Sequence, residues 1–235
     1  MKVSIIIPVF NEDRTVSKLL DQVIQVTLPA GITREIIVVN DGSTDNSQKE
    51  ILKHLAKIIF VSHPRNQGKG AAVRTGLAKA SGDVVLIQDA DLEYNPQDYA
   101  RLVLPFKQKA SLAVYGSRLV HYPLILRGAN STPLPLHYLA NKSLTFLTNI
   151  LYGQVLTDME TCYKVVRTNV LHSLHLISDS FDIEAEITAK LLKRGVKIIE
   201  LPITVKPRGY QQGKKIGWKD GLTAVWTLVK YRFVD

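Results

Sequence analysis

The chain has 235 residues, of which 46% are hydrophobic and 22% are charged, so its composition is that of a globular protein and excludes a disordered one. The net charge of +9 favours an anionic partner, and the single cysteine, Cys162, excludes an internal disulfide and fits a reducing compartment. No stretch approaches the roughly 18 apolar residues of a membrane-spanning helix. We therefore expect a cytoplasmic protein that is soluble or peripheral on the cytoplasmic face of a membrane.

The first half of the chain alternates apolar runs with helical periodicity. The apolar runs predict five strands, at 3–9, 35–39, 58–61, 83–88 and 112–115. Helices are predicted between them, over 11–28, from a cap at Ser43 or Thr44 through Leu55, over 68–79 and over 96–106. Because strands and helices alternate, the sheet should be mostly parallel.

The second half is less regular but offers no linker long enough to separate two domains. Its predicted elements are a loop over 119–135, a helix over 136–152, a strand over 162–166, a helix over 181–194, a strand over 196–205 broken at Pro202, a basic loop over 207–217 and a helix over 220–233. The last helix carries an apolar stripe, formed by Leu222, Val225, Trp226, Val229 and Phe233. Such a stripe more often contacts the core than a membrane, and core contact is predicted, although Trp226 and the flanking basic residues keep an interfacial helix open.

Polar residues and glycines follow the ends of the first three strands, and in a parallel sheet these ends lie at one edge. There Glu12 can bind a ribose hydroxyl and Asp41 can accept a hydrogen bond from a base. Gly68 allows a ligand to approach the backbone, and the amides of a helix N-terminus favour anions. For Gly68 and Gly70, however, simple turn geometry is the stronger interpretation.

The fourth strand ends in Asp89-Ala90-Asp91. Two adjacent carboxylates repel each other unless a positive charge lies between them. A divalent cation that carries a diphosphate would supply that charge, because Mg²⁺ and Mn²⁺ prefer hard oxygen ligands. An acidic turn after a strand is the alternative that this motif alone leaves open.

Four segments taken together resemble family 2 glycosyltransferases of the GT-A fold. They are Ile-Ile-Ile-Pro-Val-Phe-Asn-Glu (5–12), Val-Val-Asn-Asp-Gly-Ser-Thr-Asp (38–45), Asn-Gln-Gly-Lys-Gly (66–70) and Asp-Ala-Asp (89–91). Later segments are similar to the branch of polyprenyl-phosphate glycosyltransferases that includes dolichol-phosphate mannose synthase; they are Gly-Ser-Arg (116–118), Thr-Asp-Met-Glu-Thr-Cys-Tyr-Lys (157–164) and Phe-Asp-Ile-Glu (181–184). The resemblance covers essentially the whole chain.

The resemblance implies an α/β protein of the GT-A fold, with a Rossmann-like, mostly parallel central sheet flanked by helices and a C-terminal extension on the acceptor side. Residues 1–235 would form a single catalytic domain, with a nucleotide-sugar-binding half at 1–118 and an acceptor-binding half at 119–235. The implied reaction is a metal-dependent, inverting transfer from a donor of the GDP-mannose or UDP-glucose type to a polyprenyl or dolichyl phosphate. Reversible contact with a membrane surface is expected, and no motif for reading nucleic acid is present.

The resemblance also implies roles for individual residues. The donor would be bound by Pro8, Phe10, Glu12, Asp41, Gly68, Lys69 and Ala90. Mg²⁺ or Mn²⁺ would be held by Asp89, Asp91 and Glu93, and the catalytic set would be Asp89, Asp91, Arg118 and Arg208. Arg118 corresponds to an arginine near the transferred sugar and the acceptor phosphate, and Arg208 corresponds to a second acceptor-phosphate arginine on a mobile loop. The chain departs from the family pattern at His137 and Asn141, where an arginine and a serine are expected.

Two alternatives remain. A glycosyltransferase with a soluble or saccharide hydroxyl acceptor would need a general base, for which Asp158 and Glu160 are the candidates, although a hydrogen-bonded structural loop is the favoured interpretation of both. A sugar nucleotidyltransferase would usually carry a glycine-rich loop with a basic residue directly after the first strand, and this chain lacks one. The basic segment 206–219 fits either a solvated loop or an active-site lid, and the resemblance favours the lid.

Overall fold

A computed structural model describes residues 1–107, 111–120, 135–206, 208 and 217–234. Within these residues one seven-stranded sheet has the strand order β3-β2-β1-β4-β6-β5-β7. The strands are β1 (Lys2–Val9), β2 (Thr33–Asn40), β3 (Ile59–Ser62), β4 (Val84–Ile87), β5 (Ala113–Ser117), β6 (Lys164–Arg167) and β7 (Ile198–Pro202). Only β6 runs antiparallel to its neighbours, β4 and β5, so the mostly parallel sheet is confirmed.

The centre of the sheet is β1, which lies between β2 and β4. Its apolar residues are fully buried, and β4 is buried along its whole length. Central strands covered on both faces require such near-continuous apolar runs. Because β2 and β4 lie on opposite sides of β1, the strand order reverses there, and the carboxyl ends of β1 and β4 border the crevice where ligands bind open α/β sheets.

The helices of the described residues are α1 (Val16–Gln25), α2 (Ser47–Leu52), α3 (Lys69–Lys79), α4 (Tyr99–Val103), α5 (Pro135–Tyr152), α6 (Thr168–Ser173), α7 (Ile183–Lys193) and α8 (Trp218–Phe233). The sequence did not predict α6. The single helix predicted over 96–106 is instead α4 flanked by two 3₁₀ turns, Pro96–Asp98 and Leu104–Lys107. The strand predicted over 196–205 ends at Pro202, and Val205 pairs separately with Tyr94.

The segment before α1 was predicted to be helical and is not. Asn11 has φ of +50°, and its amide donates to the Ser43 hydroxyl at 3.0 Å. The amide of Glu12 donates to the Ser47 hydroxyl at 2.7 Å. These bonds bind the loop after β1 to the loop after β2, so the helix begins later, at Val16.

The predicted caps of α2 are also wrong. Asn46 precedes the helix, and Ser43 instead accepts the bond from Asn11. The amide of Thr44 donates to Asn11 Oδ1 at 2.8 Å. Both polar residues therefore hold the two loops together at the strand ends. Helix α2 stops at Leu52, and Leu55 lies in a separate 3₁₀ turn, Leu55–Lys57.

A second, smaller core lies between α5, α7 and α8. It contains Leu144, Met159, Ala185, Ala189, Ala224, Leu228 and Tyr231. The predicted core contact of the apolar stripe on α8 is wrong, because Leu222, Trp226 and Phe233 are 61%, 66% and 77% exposed. Helix α8 has apolar residues on two faces, and the face with Ala224, Leu228 and Tyr231 packs against α5 and α7.

The predicted loops 119–135 and 207–217 lie largely outside the described residues. In the part of the chain that is described, no helix has the length and apolar character needed to cross a membrane.

Candidate active site

A cavity of about 360 Å³ opens at the carboxyl ends of β1, β2 and β4. All twelve candidate site residues line it: Pro8, Phe10, Glu12, Asp41, Gly68, Lys69, Asp89, Ala90, Asp91, Glu93, Arg118 and Arg208. Eight further residues complete the described wall: Val9, Asn66, Tyr94, Glu160, Cys162, Ser180, Phe181 and Glu184. A cavity of this size with converging charged groups is the usual form of a small-molecule site.

Asp41 fixes the loop that closes one side of the cavity. Its Oδ1 accepts from the Gln67 amide at 2.9 Å and contacts His63 Nδ1 at 2.7 Å, and its Oδ2 accepts from the Gly68 amide at 2.8 Å. An ionised carboxylate offers about four lone-pair positions. Three of them are used here, which leaves one for the base that the sequence predicts as its partner.

The two glycines at the start of α3 are required by close packing, and Gly68 is required by its backbone conformation as well. Gly68 has φ of +97°, and a Cβ atom there would lie 2.2 Å from the carbonyl oxygen of Asp179. A Cβ on Gly70 would lie 2.2 Å from the carbonyl oxygen of Ser178. The amide of Ala71 donates to Asp179, so this helix N-terminus is partly occupied by protein and offers fewer amides to an anion than predicted.

Lys69 extends from the start of α3 into a buried charge network. Its Nζ lies 2.7 Å from Asp89 Oδ1 and 3.0 Å from Glu184 Oε1. Lys164, on β6, lies 2.8 Å from the other oxygen of Glu184. Burial alone would lower the pKa of Lys69, but the negative charges of Asp89 and Glu184 raise it well above its ordinary value. Asp89 therefore faces a cation from the protein itself.

Arg208 lies on the other side of the same cluster of carboxylates. Its Nη1 and Nη2 each lie 3.1 Å from an oxygen of Glu12, and Nη2 also lies 3.1 Å from Asp91 Oδ2. Its backbone amide donates to Glu93 Oε1 at 3.0 Å. A guanidinium thus sits among three carboxylates, with Asp89 paired separately to Lys69.

The carboxylates fit a divalent metal ion by their chemistry. They offer hard oxygen ligands, and the guanidinium of Arg208 shows that a cation is stabilised between them. Burial and the charges of Asp89 and Glu93 raise the pKa of Asp91 to about 7, although Arg208 lowers it. Among the described residues, however, no three His, Cys, Asp or Glu side chains are arranged to hold a metal. Arg208 and Lys69 already engage oxygens of these carboxylates, so a metal ion would compete with both cations.

Arg118, which lines the cavity, forms an ion pair with the buried carboxylate of Asp158. Its Nε and Nη2 donate to the two oxygens of Asp158, each at 2.7 Å, and its own amide donates to Oδ2 at 2.9 Å. Burial would lower the pKa of Arg118, but Asp158 raises it well above its ordinary value. Asp158 thereby has the structural role that was favoured for it.

Glu160 lies in the same loop but differs from Asp158. Its Oε1 is fully buried and accepts no hydrogen bond from the described residues. Burial raises the pKa of its carboxyl group to about 7, with Lys164 and Arg118 opposing and Glu184 and Asp158 adding to the shift. A structural hydrogen-bonded role, favoured from the sequence, therefore does not account for this side chain.

Sequence analysis missed several residues of the cavity wall. Glu184 is on α7 and reaches the cavity only because that helix packs beside the sheet. Its motif Phe-Asp-Ile-Glu contributes to the family resemblance, and this motif is the sequence signal that points to Glu184. Cys162 lines the cavity as well, and burial raises the pKa of its thiol. His137 and Asn141 lie on α5 and do not belong to the wall described above.

Comparison with known proteins defines the class. The fold is shared with glucosyl-3-phosphoglycerate synthase from Mycobacterium tuberculosis, solved with Mn²⁺, UDP and glucosyl-3-phosphoglycerate, at a TM-score of 0.72 and 20% identity, over 100% of this chain and 81% of that one. The architecture is therefore the GT-A fold. Residues 4–174 match the sequence profile of Glycosyl transferase family 2. The chain belongs to glycosyl transferase family 2, which confirms the family predicted from its motifs.

Two of its relatives are transferases named for polyprenyl phosphates. The dolichol-phosphate mannosyltransferase of Pyrococcus furiosus is 27% identical over 238 residues, which cover 98% of this chain and 64% of that protein. The undecaprenyl-phosphate 4-deoxy-4-formamido-L-arabinose transferase of Proteus mirabilis is 39% identical over 107 residues, which cover 43% of this chain and 32% of that protein. This chain therefore spans less than two thirds of the length of either relative.

Proposed function

We propose that the protein transfers a hexose from a nucleoside-diphosphate sugar to a polyprenyl phosphate, with inversion and with a divalent metal ion. The observation that carries this proposal is the convergence of all twelve candidate residues on one cavity. Family membership supports a glycosyl transfer, and the relatives named for dolichyl and undecaprenyl phosphate support a lipid-phosphate acceptor.

In this proposal the donor lies along the carboxyl ends of β1, β2 and β4. Pro8, Phe10 and Asp41 contact the nucleoside, and Glu12 accepts from the ribose once Arg208 has moved away. Asp89, Asp91 and Glu93 would hold Mg²⁺ or Mn²⁺, and the ion would neutralise the charge of the departing diphosphate. The division into a donor half at 1–118 and an acceptor half at 119–235 belongs to the same proposal.

The acceptor needs no general base, because a phosphate monoester is already anionic near neutral pH. One of its oxygens forms a bond to the anomeric carbon while the bond from that carbon to the diphosphate oxygen breaks. The electron pair leaves with the diphosphate, and no proton has to be moved. The task of the protein is then to position two anions, for which the forked guanidinium of an arginine is well suited.

Exposed apolar residues favour reversible contact with a lipid surface. They lie on α5 and α8 and are Leu136, Leu139, Phe146, Ile150, Leu222, Trp226 and Phe233. Basic residues of the same helices, Lys142, Lys219, Lys230 and Arg232, would be drawn to anionic headgroups. The cytoplasmic face remains the predicted location.

A donor and acceptor screen tests the proposal. The full chain is incubated with UDP-glucose or GDP-mannose and Mn²⁺ or Mg²⁺, with and without a short polyprenyl phosphate, and release of the nucleoside diphosphate is followed. We expect metal-dependent release that the lipid phosphate accelerates, with a lipid-linked hexose of inverted configuration as product. Transfer to a saccharide hydroxyl, with none to the lipid phosphate, would support the alternative acceptor class. Release of pyrophosphate would instead indicate a nucleotidyltransferase.

A further inference from the structure

Glu160 is the one carboxylate in the described cavity wall with a buried oxygen that has neither a hydrogen bond nor a salt bridge among the described residues, since the buried oxygens of Glu184 are paired with Lys69 and Lys164. The others are engaged: Glu12, Asp91 and Glu93 by Arg208, Asp41 by His63 and two amides, Asp89 by Lys69, and Glu184 by Lys69 and Lys164. Glu160 therefore differs from every other carboxylate of the described wall, and its unbonded oxygen requires an explanation.

The backbone around Glu160 is held firmly. Lys164 Nζ donates to the carbonyl oxygens on both sides of it, at 2.8 Å to Met159 and 2.5 Å to Thr161. The Thr161 hydroxyl in turn donates to the carbonyl of Gly116, at 2.5 Å. A side chain on such a support keeps its direction toward the cavity, as a preorganised binding group must.

A buried carboxylate oxygen that has no hydrogen-bond partner destabilises the folded protein, because the water that it loses on folding is not replaced. Residues that break this rule cluster at functional sites, where a ligand supplies the missing partner. The ligand must therefore bring a hydrogen-bond donor to Glu160 Oε1.

The charge of each part of the two substrates shows which part can donate a hydrogen bond to Glu160. The diphosphate of the donor and the phosphate of the acceptor are anions and repel a carboxylate. In the proposed function the base already has a partner in Asp41, and the ribose hydroxyls have one in Glu12. The hexose is neutral and carries several hydroxyl donors, and it must lie between the metal-binding carboxylates and the acceptor side, where Arg118 and Glu160 line the wall.

We propose that Glu160 accepts a hydrogen bond from a hydroxyl group of the transferred hexose and thereby selects the sugar. This inference rests on the proposed function. A site built to bond a hydroxyl rejects the analogue that lacks it, because its buried polar group is then left unpaired.

Calorimetric titration with Mn²⁺ present tests the inference. UDP and UDP-glucose, and GDP and GDP-mannose, are titrated into the wild-type chain and into the Glu160→Gln and Glu160→Ala variants. We expect Glu160→Ala to weaken binding of the preferred nucleotide sugar about 10- to 100-fold and to leave binding of the nucleoside diphosphate unchanged. Glu160→Gln keeps an acceptor oxygen and should lie between the two. Glu50→Ala, which removes a surface partner of Lys53, is the matched control.

Monodeoxy derivatives of the preferred donor sharpen the test. One of them should bind the wild type more weakly than the parent sugar and bind Glu160→Ala equally well. Equal losses of nucleotide sugar and nucleoside diphosphate in the variants would overturn the inference. So would unchanged binding combined with slow turnover that no longer responds to pH, which would make Glu160 a general base. If the wild type binds no nucleoside diphosphate, the proposed function itself fails, and the inference fails with it.

Discussion

The guanidinium of Arg208 donates to both carboxylate oxygens of Glu12 at 3.1 Å, although 196 positions separate the two residues in the chain. The same guanidinium reaches Asp91, and the backbone amide reaches Glu93. Sequence analysis placed Arg208 near the acceptor phosphate. In the structure its guanidinium lies among the carboxylates predicted to bind the ribose and the metal, so it would compete with the donor complex for the same groups. Its contact with the acceptor phosphate stays a prediction.

Arg208→Ala should therefore raise the affinity for Mn²⁺ measured without nucleotide, because three carboxylates lose their cationic neighbour. Transfer to a polyprenyl phosphate should fall at least about 10-fold, the loss of one charge-assisted contact to the acceptor. Titration calorimetry measures the first effect and product formation the second. Arg101→Ala, which removes the partner of Asp98, is the control. Unchanged or weaker Mn²⁺ binding in Arg208→Ala would contradict the competition.

Asp91→Ala should abolish metal-dependent transfer, with a loss of at least about 10- to 100-fold. The carboxylate is buried beside Asp89 and Glu93, and a metal ion would balance this concentration of charge. Activity is measured over a Mn²⁺ series, and thermal unfolding shows that the fold is kept. Asp21→Asn, at an exposed position on α1, is the control. Full wild-type activity in a chelator would refute the metal role.

Arg118→Ala should lower the free energy of unfolding by about 3–5 kcal/mol, because the buried carboxylate of Asp158 keeps its bond from the backbone amide at position 118 but loses its counter-ion. The double variant Arg118→Met with Asp158→Leu should regain much of this stability, since no charge is then stranded. If Arg118 also binds substrate, the double variant stays inactive. Urea unfolding and transfer assays on both variants separate the two roles. Recovery of activity together with stability would restrict Arg118 to a structural role.

Glu160→Gln should stabilise the protein at high pH. The pKa of Glu160 is raised by burial to about 7 from its ordinary value of 4.5, with Glu184 and Asp158 adding to the shift and Lys164 and Arg118 opposing it. An acid whose folded-state pKa is raised loses stability as the pH rises through that window. The variant should thus match the wild type near pH 4 and exceed it above pH 7 by about 3 kcal/mol. A stability difference that does not change with pH would show that Glu160 keeps its ordinary pKa.

Trp226→Glu should weaken binding to anionic vesicles without changing the melting temperature. The indole is exposed on α8, so the substitution disturbs no packing, but it places a negative charge on the face proposed to meet the lipid surface. Co-sedimentation at low and high salt measures the effect. Leu55→Glu, another exposed apolar position, is the control, and an equal loss there would point to net charge alone.

Much of the fold was predictable because its signals are local. The apolar runs of β1 and β4 are continuous, as central buried strands require, and the alternation with helices dictates a parallel arrangement. Helix α3 was placed correctly from Gly68 to Lys79 for the same reason. Predictions failed where contacts between distant segments decided the outcome. The start of α1 moved because the loop after β1 is bonded to Ser43 and Ser47.

The sequence by itself determined the class of fold and the family, and it predicted twelve of the twenty residues that line the described cavity. Most of these follow strand ends, which a parallel sheet brings together at one edge. Tertiary structure alone decided which charges meet: Arg208 with Glu12, and Lys69 with Asp89 and Glu184. It also left the buried oxygen of Glu160 without a hydrogen bond from any residue that the structure describes. It also decided which apolar face of α8 is buried. Periodicity defines the faces of a helix, but burial depends on the shape of what packs against it.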